Sequence, residues 1–169
     1  MEEGFEERFQ ASYSDILRLA RARLSRERAP VSTVTLAHEL YLNLRDRDDL
    51  KFSSTAQFMA YAGRAMRSLL VDMARERLAQ KRSAQLMPLT LGADVPDLGG
   101  TPEQLVALDD ALTRLGLVDE RLMRVAEMRV IMGMQVAEMA AALGISEPTV
   151  KRDWQRAKAY LYEALGATP

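Results

Sequence analysis

The 169 residues contain no cysteine. Disulfides and thiolate metal sites are therefore excluded, and the composition suits a reducing, cytoplasmic setting. Histidine occurs once, as His38, with Glu39 beside it and no second histidine to converge on. A lone imidazole at helical spacing is more often a surface or packing residue than a base, a ligand or a phosphoacceptor. No enzyme activity and no cofactor is expected. Aromatic residues make up only 6% of the chain, so any core must be filled by Leu, Ala, Val and the ten Met. No apolar run approaches the roughly 20 residues needed to span a bilayer. The opening MEEGFEERFQ is acidic and does not read as a signal peptide. Internal repeats, G-x-G-x-x-G, P-loop and H-E-x-x-H sequences are all missing. The net charge is only −1, so a nucleic-acid role would have to rest on local patches.

What is present is helical periodicity, and it is sharpest over residues 135–161. Val136, Met139, Ala140 and Leu143 fall at i, i+3, i+4 and i+7, one apolar face of a short helix. Gly144 follows, the residue that most easily adopts the left-handed conformation ending a helix. Ser146 reads as the N-cap of a second helix, with Glu147 and Pro148 suited to its first turn. Val150, Trp154, Ala157 and Leu161 form its apolar stripe. Thr149, Lys151, Arg152, Gln155, Arg156 and Lys158 lie off that stripe. The pattern is a helix-turn-helix whose second helix suits a DNA major groove. An αα-hairpin with a solvated polar face is the plainer alternative. Residues 147–158 hold four basic and two acidic residues, net +2, a modest electrostatic footprint.

Elsewhere the chain also reads as all-α. Helices are expected at about 5–24, 35–44, 56–83, 102–115, 120–132, 136–143 and 147–165. The β-branched stretch VSTVTL at 31–36 reads as a helix start with several alternative caps, as do Ser53, Ser54 and Thr55 further on. In the longest helix, Phe58, Tyr61, Ala62, Ala65, Leu69 and Met73 share a broad apolar face. Arg64, Arg75 and Arg82 fall almost together on the opposite side, with Arg67 about a sixth of a turn away. Residues 56–84 carry six basic and two acidic residues, net +4, the most basic segment of the chain. Residues 85–101 then break the pattern with Pro88, Gly92, Pro96, Gly99 and Gly100. The expected organisation is two small helical domains, 1–85 and 102–169, joined by a flexible linker at 86–101. Residues 94–120 hold seven acids and one arginine, net −6, a charge that could shield a basic surface.

Three stretches together resemble an extracytoplasmic function (ECF) sigma factor of the sigma-70 family. LAHELYLNL at 36–44 is similar to the region-2 helix of that family. FMAYAGRAMRSLLVDMARERLAQKR at 58–82 looks like the helix that melts and reads the −10 element. VAEMAAALGISEPTVKRDWQRAKAYLYEAL at 136–165 is similar to region 4, which reads the −35 element. The resemblance implies core RNA polymerase and promoter DNA as partners. It places −10 contacts on Arg64, Arg67, Arg75, Lys81 and Arg82, which would hold phosphates and the separated strand. It places −35 contacts on Thr149, Lys151, Arg152, Gln155, Arg156 and Lys158, where Arg can pair with guanine and Gln with adenine. Tyr61 and Trp154 are tempting as base-stacking residues, but their spacing favours core positions.

In one place the sequence departs from the family. Most members carry an acidic cluster just before the region-2 helix that binds the basic clamp helices of polymerase. Here Ser32, Thr33, Val34 and Thr35 occupy those positions. Glu39 remains, with Asp46, Asp48 and Asp49 at the far end of the helix, and these acids are the expected polymerase contacts. They either suffice, or polymerase binding awaits negative charge added by a Ser/Thr kinase. Thr33 and Thr35 are the first candidate phosphosites, then Ser32, with Ser53, Ser54 and Thr55 as a second cluster. The hydroxyls otherwise serve only as caps. An anti-sigma protein is a further partner compatible with the sequence. Rival functions are a stand-alone helix-turn-helix regulator and a helical adaptor of the sigma/anti-sigma system that binds no DNA.

Overall fold

A computed structural model describes residues 4–24, 32–47, 50–80 and 101–166. Among them are seven α-helices and no strand: α1 Phe5–Leu24, α2 Thr33–Arg45, α3 Thr55–Gln80, α4 Pro102–Val118, α5 Glu120–Val130, α6 Val136–Leu143 and α7 Glu147–Leu165. The linker residues 86–100 lie outside the described residues, as do Asp48, Asp49, Lys81 and Arg82.

Caps account for most of the boundaries. Helix α2 starts two residues earlier than the periodicity suggests. Ser32 is extended, at φ −77° and ψ 157°, and its hydroxyl accepts from the Thr35 amide at 3.1 Å. The β-branched stretch thus divides into a cap and a first turn rather than a strand. Ser54 plays the same part for α3, accepting from the Gln57 amide at 3.1 Å. Thr101 and Gln104 form a reciprocal capping box in front of α4, with Pro102 in its first turn. Helix α4 runs three residues past Leu115. Asp119 then ends α4 through its backbone amide and caps α5 through its side chain. Helix α5 stops at Val130, two residues short of expectation, because the chain turns at Gly133 with φ 64°. Met132 is thereby released from the helix into the turn.

Helices α1, α2 and α3 enclose one apolar cluster, in which Ile16, Leu36, Leu40, Leu44, Phe58 and Met66 are fully buried. All four phenylalanines lie at one end of it. Phe9 meets Tyr41 edge-on at 5.1 Å between ring centroids, and Phe52 meets Phe58 the same way at 5.3 Å. Helices α4, α5 and α7 enclose a second cluster around Leu108, Leu112, Leu115 and Leu161. A third, built on Val125, Met139 and Val150, underlies the helix-turn-helix.

Helix α3 is covered on two sides. Besides α1 and α2, it packs against α4, α5 and α6. Leu105 of α4 is buried in the first cluster, and Ala60 of α3 packs against the third. At the centre of this seam, a Cβ added at Gly63 would fall on the sulfur of Met132. Met132 occupies that notch and touches both the first and the third cluster.

The notch makes the sign of one substitution depend on its neighbour. Gly63→Ala gains about 1 kcal/mol of helix propensity. Displacing Met132 costs about 1–3 kcal/mol of overpacking. In the wild-type background the substitution is therefore expected to destabilise, by up to about 2 kcal/mol. In a Met132→Ala background nothing needs displacing, and it is expected to stabilise. Urea denaturation of the four members of this double-mutant cycle measures the reversal.

Candidate nucleic-acid interface

The helix-turn-helix is fixed by its turn. Gly144 ends α6 at φ 65°, the left-handed region that favours glycine. Ser146 caps α7, accepting from the Thr149 amide at 3.4 Å, and its hydroxyl lies 2.8 Å from that of Thr149. Val150, Ala157 and Leu161 are fully buried, and Trp154 packs between the second and third clusters. That orientation leaves Lys151, Arg152, Gln155 and Arg156 exposed together on the outer face of α7. Thr149 is half-buried beside its cap partner. Lys158 is also half-buried, and its ammonium lies 5.6 Å from the centre of the Tyr162 ring.

Asp153, on the inner side of α7, is buried, and the Arg121 guanidinium of α5 reaches it with Nε at 2.6 Å and Nη2 at 3.2 Å. The hydrogen bond and charge of Asp153 hold the Arg121 guanidinium even more firmly cationic than usual. The fork is bidentate and fixes the rotation of α7 about its axis, hence which residues face outward.

The α3 arginines are placed differently. Arg67 is 11% exposed and reaches across to the second half of the chain. Its Nε donates to Asp109 of α4 at 2.8 Å and its Nη1 to Glu127 of α5 at 2.7 Å. Its Nη2 lies 3.2 Å from the Asp109 carbonyl and 3.4 Å from the Thr113 hydroxyl. Arg64 donates to the other oxygen of Glu127 at 3.3 Å. Arg75 bonds the second oxygen of Asp109 at 3.2 Å and lies 3.7 Å from Asp110. Three guanidiniums thus meet three carboxylates, and Glu127, at 3% exposure, is buried by the contact. The sequence pointed to the arginines and to the acidic segment holding Asp109 and Asp110. Glu127 was missed, because an isolated acid on the inner side of a helix carries no local signal of a partner 60 residues away. Arg121 and Asp153, 32 residues apart, were missed for the same reason.

Tyr61 belongs to the packed face of α3, its ring 5.5 Å from that of Phe52 and its hydroxyl accepting from Arg47 at 2.8 Å. On α2, Glu39 and His38 are exposed. Asp46 ends that helix, exposed, 3.3 Å from Arg45. The Tyr41 hydroxyl donates to Glu6 at 3.2 Å, a bond to a carboxylate that raises its pKa. Among the described residues no group of His, Asp and Glu could hold a metal ion, and no helix is long and apolar enough to cross a membrane.

The family model for ECF sigma factors matches residues 2–167. The chain belongs to that family, whose members direct RNA polymerase to promoter DNA. No curated protein and no solved structure matches it.

The Arg121–Asp153 pair gives an asymmetric expectation. Arg121→Met strands a buried carboxylate and should cost about 3–5 kcal/mol. Asp153→Asn leaves a half-exposed guanidinium to water and should cost about 1 kcal/mol. Thermal melts of both variants check the order.

Proposed function

We propose that this protein is a promoter-recognition subunit of RNA polymerase acting as two units, 1–85 and 102–169, joined by a linker at 86–101. The first unit binds the core enzyme and the −10 element, and the second reads the −35 element. The observation that carries the reading is the outer face of α7, where Lys151, Arg152, Gln155 and Arg156 stand exposed opposite the buried Val150, Ala157 and Leu161. Guanidinium forks and a carboxamide in a major groove supply base readout, and the flanking Lys158 and Thr149 supply backbone contacts. Arg64, Arg67 and Arg75, with Lys81 and Arg82 beyond them in sequence, hold the opened strand through its phosphates. Glu39 and Asp46 face the basic surface of the core enzyme, with Asp48 and Asp49 next to them in sequence.

In-vitro transcription with purified core enzyme is the test. Promoter-specific initiation should require the protein. Arg152→Ala and Arg156→Ala should each weaken promoter binding by about 1–3 kcal/mol and relax preference at one position. Unchanged promoter choice in both variants would remove the α7 assignment.

We further propose that phosphorylation in the first turn of α2 switches polymerase binding on. No acid stands in that turn or in that of α3, whereas α1 carries two and α4, α5, α6 and α7 one each. Ser32 and Thr35 are exposed with their hydroxyls 2.9 Å apart, and Thr33 between them is half-buried. A phosphate there adds about −1.5 to −2 charge. It also meets the positive end of the helix, and it offers charge-assisted hydrogen bonds to a basic partner. Ser53, Ser54 and Thr55 form the second candidate cluster, although Ser53 and Ser54 are already engaged with Gln57. Unmodified protein should bind core enzyme weakly, treatment with a Ser/Thr kinase should restore binding, and Thr35→Ala or Thr33→Ala should abolish the gain. Tight binding and full transcription by unphosphorylated protein would eliminate the switch.

A further inference from the structure

We infer that a cavity between α1 and α2 is a cage for one cationic side chain of the core enzyme, with Phe9, Tyr13 and Tyr41 as its aromatic walls and Glu6 as its counter-charge. This rests on the reading of α2 as the polymerase-facing helix. It adds to that surface a site that works through ring faces rather than through a row of acids.

The cavity holds about 280 Å³ and opens between the two helices. Phe9 is buried and forms its floor. The Tyr41 ring stands 5.1 Å from that of Phe9 at an interplanar angle of 70°, so the two rings adjoin as walls. The Tyr13 ring lies 6.2 Å from Phe9. Glu6 lines the same cavity, and one of its oxygens accepts from the Tyr41 hydroxyl at 3.2 Å. That bond holds the carboxylate beside the rings and leaves acceptor sites for a second donor. Among the described residues no lysine or arginine lines the cavity. Ring faces carry the negative end of the aromatic quadrupole, and a cation within about 6 Å of a ring centre is attracted to them. Three rings and one carboxylate therefore fit a guanidinium or an ammonium group.

Walls of this kind also suit a free organic cation, but size and surroundings favour a side chain. Small-molecule sites run to about 300–1,000 Å³ and enclose most of their ligand. This cavity lies at the lower limit, and its rim is exposed and apolar, with Val34 at 60% and Tyr13 at 39% exposure. The aliphatic stem of an arginine or lysine packs on such a rim while its head goes inside. The cavity also continues onto the proposed polymerase surface. Val34 stands between the candidate phosphosites Thr33 and Thr35, and His38 of the lining precedes Glu39, both exposed. The first turn of α2 holds no acid, and cation–π contact grips a basic partner there without one.

The test measures binding of the full-length protein to purified core enzyme. Tyr13→Leu keeps apolar bulk but removes the ring face, and should weaken binding by on the order of tenfold. Tyr13→Phe keeps the face and should lose much less. Glu6→Gln, at an exposed position, should also weaken binding. Each variant is read on untreated and on kinase-treated protein, which separates the cage from any phosphate at Thr33 or Thr35. The photo-crosslinking amino acid p-benzoylphenylalanine in place of Tyr13 should attach to a core-enzyme segment that carries a lysine or arginine. Replacing that residue by alanine should weaken binding of the wild-type protein and add little to the loss in Tyr13→Leu. Circular dichroism identifies any variant that has unfolded, and the Tyr13 and Glu6 variants back one another up.

Unchanged binding by Tyr13→Leu and Glu6→Gln would overturn the cage. Equal losses in Tyr13→Leu and Tyr13→Phe, or fully additive losses in the double-mutant cycle, would overturn its role as a cation site. Failure of the underlying reading looks different. Glu39→Gln with Asp46→Asn would then leave core binding intact as well, and no cross-link to core enzyme would form from position 13.

Discussion

The fork of Arg67 between Asp109 and Glu127 is the constraint on which the arrangement of this chain depends. It is the point where the α1–α3 half and the α4–α7 half meet through charge, and it sets the register of α3 against α4 and α5. Glu127 is buried and receives Arg64 and Arg67 of α3 on its two oxygens. An acid in that position demands a guanidinium, and the planar five-donor head of arginine can serve two carboxylates and a backbone carbonyl at once where a lysine could not. The apolar contacts at Gly63 and Leu105 then close around a geometry that the ions have already fixed.

Two different kinds of buried ion pair occur in the same small chain. Arg121 and Asp153 both lie in the second half, and their pairing sets the face that α7 turns outward. Arg67 pairs across the two halves. The first joins two helices that share the second cluster, and the second joins α3, in the first cluster, to α4 and α5.

Sequence patterns carried far for local structure and less far for contacts. The Gly144–Ser146 turn, the Thr101–Pro102 cap and the bounds of α1, α6 and α7 follow from short-range chemistry, and all were read from spacing alone. The start of α2 was placed late because β-branched residues obscured a serine cap. The end of α5 was placed late because Met132 fits the apolar period while belonging to the turn. The same local limit explains the candidate interface. The face of α7 is a one-helix property, visible in the alternation of polar and apolar positions. The pairing of the α3 arginines depends on residues 34 to 63 positions away, and no periodicity reports it. Only the charge asymmetry between 56–84 and 94–120 hinted at a complementary surface.

Trp154 is the single tryptophan, and it lies where the clusters beneath α5, α6 and α7 meet. The five tyrosines are divided, Tyr13, Tyr41 and Tyr61 lying in the first three helices and Tyr160 and Tyr162 in α7. Near-ultraviolet dichroism therefore mixes signals from both ends of the chain. Indole emission comes from one place, and it follows the packing of the helix-turn-helix without an added label.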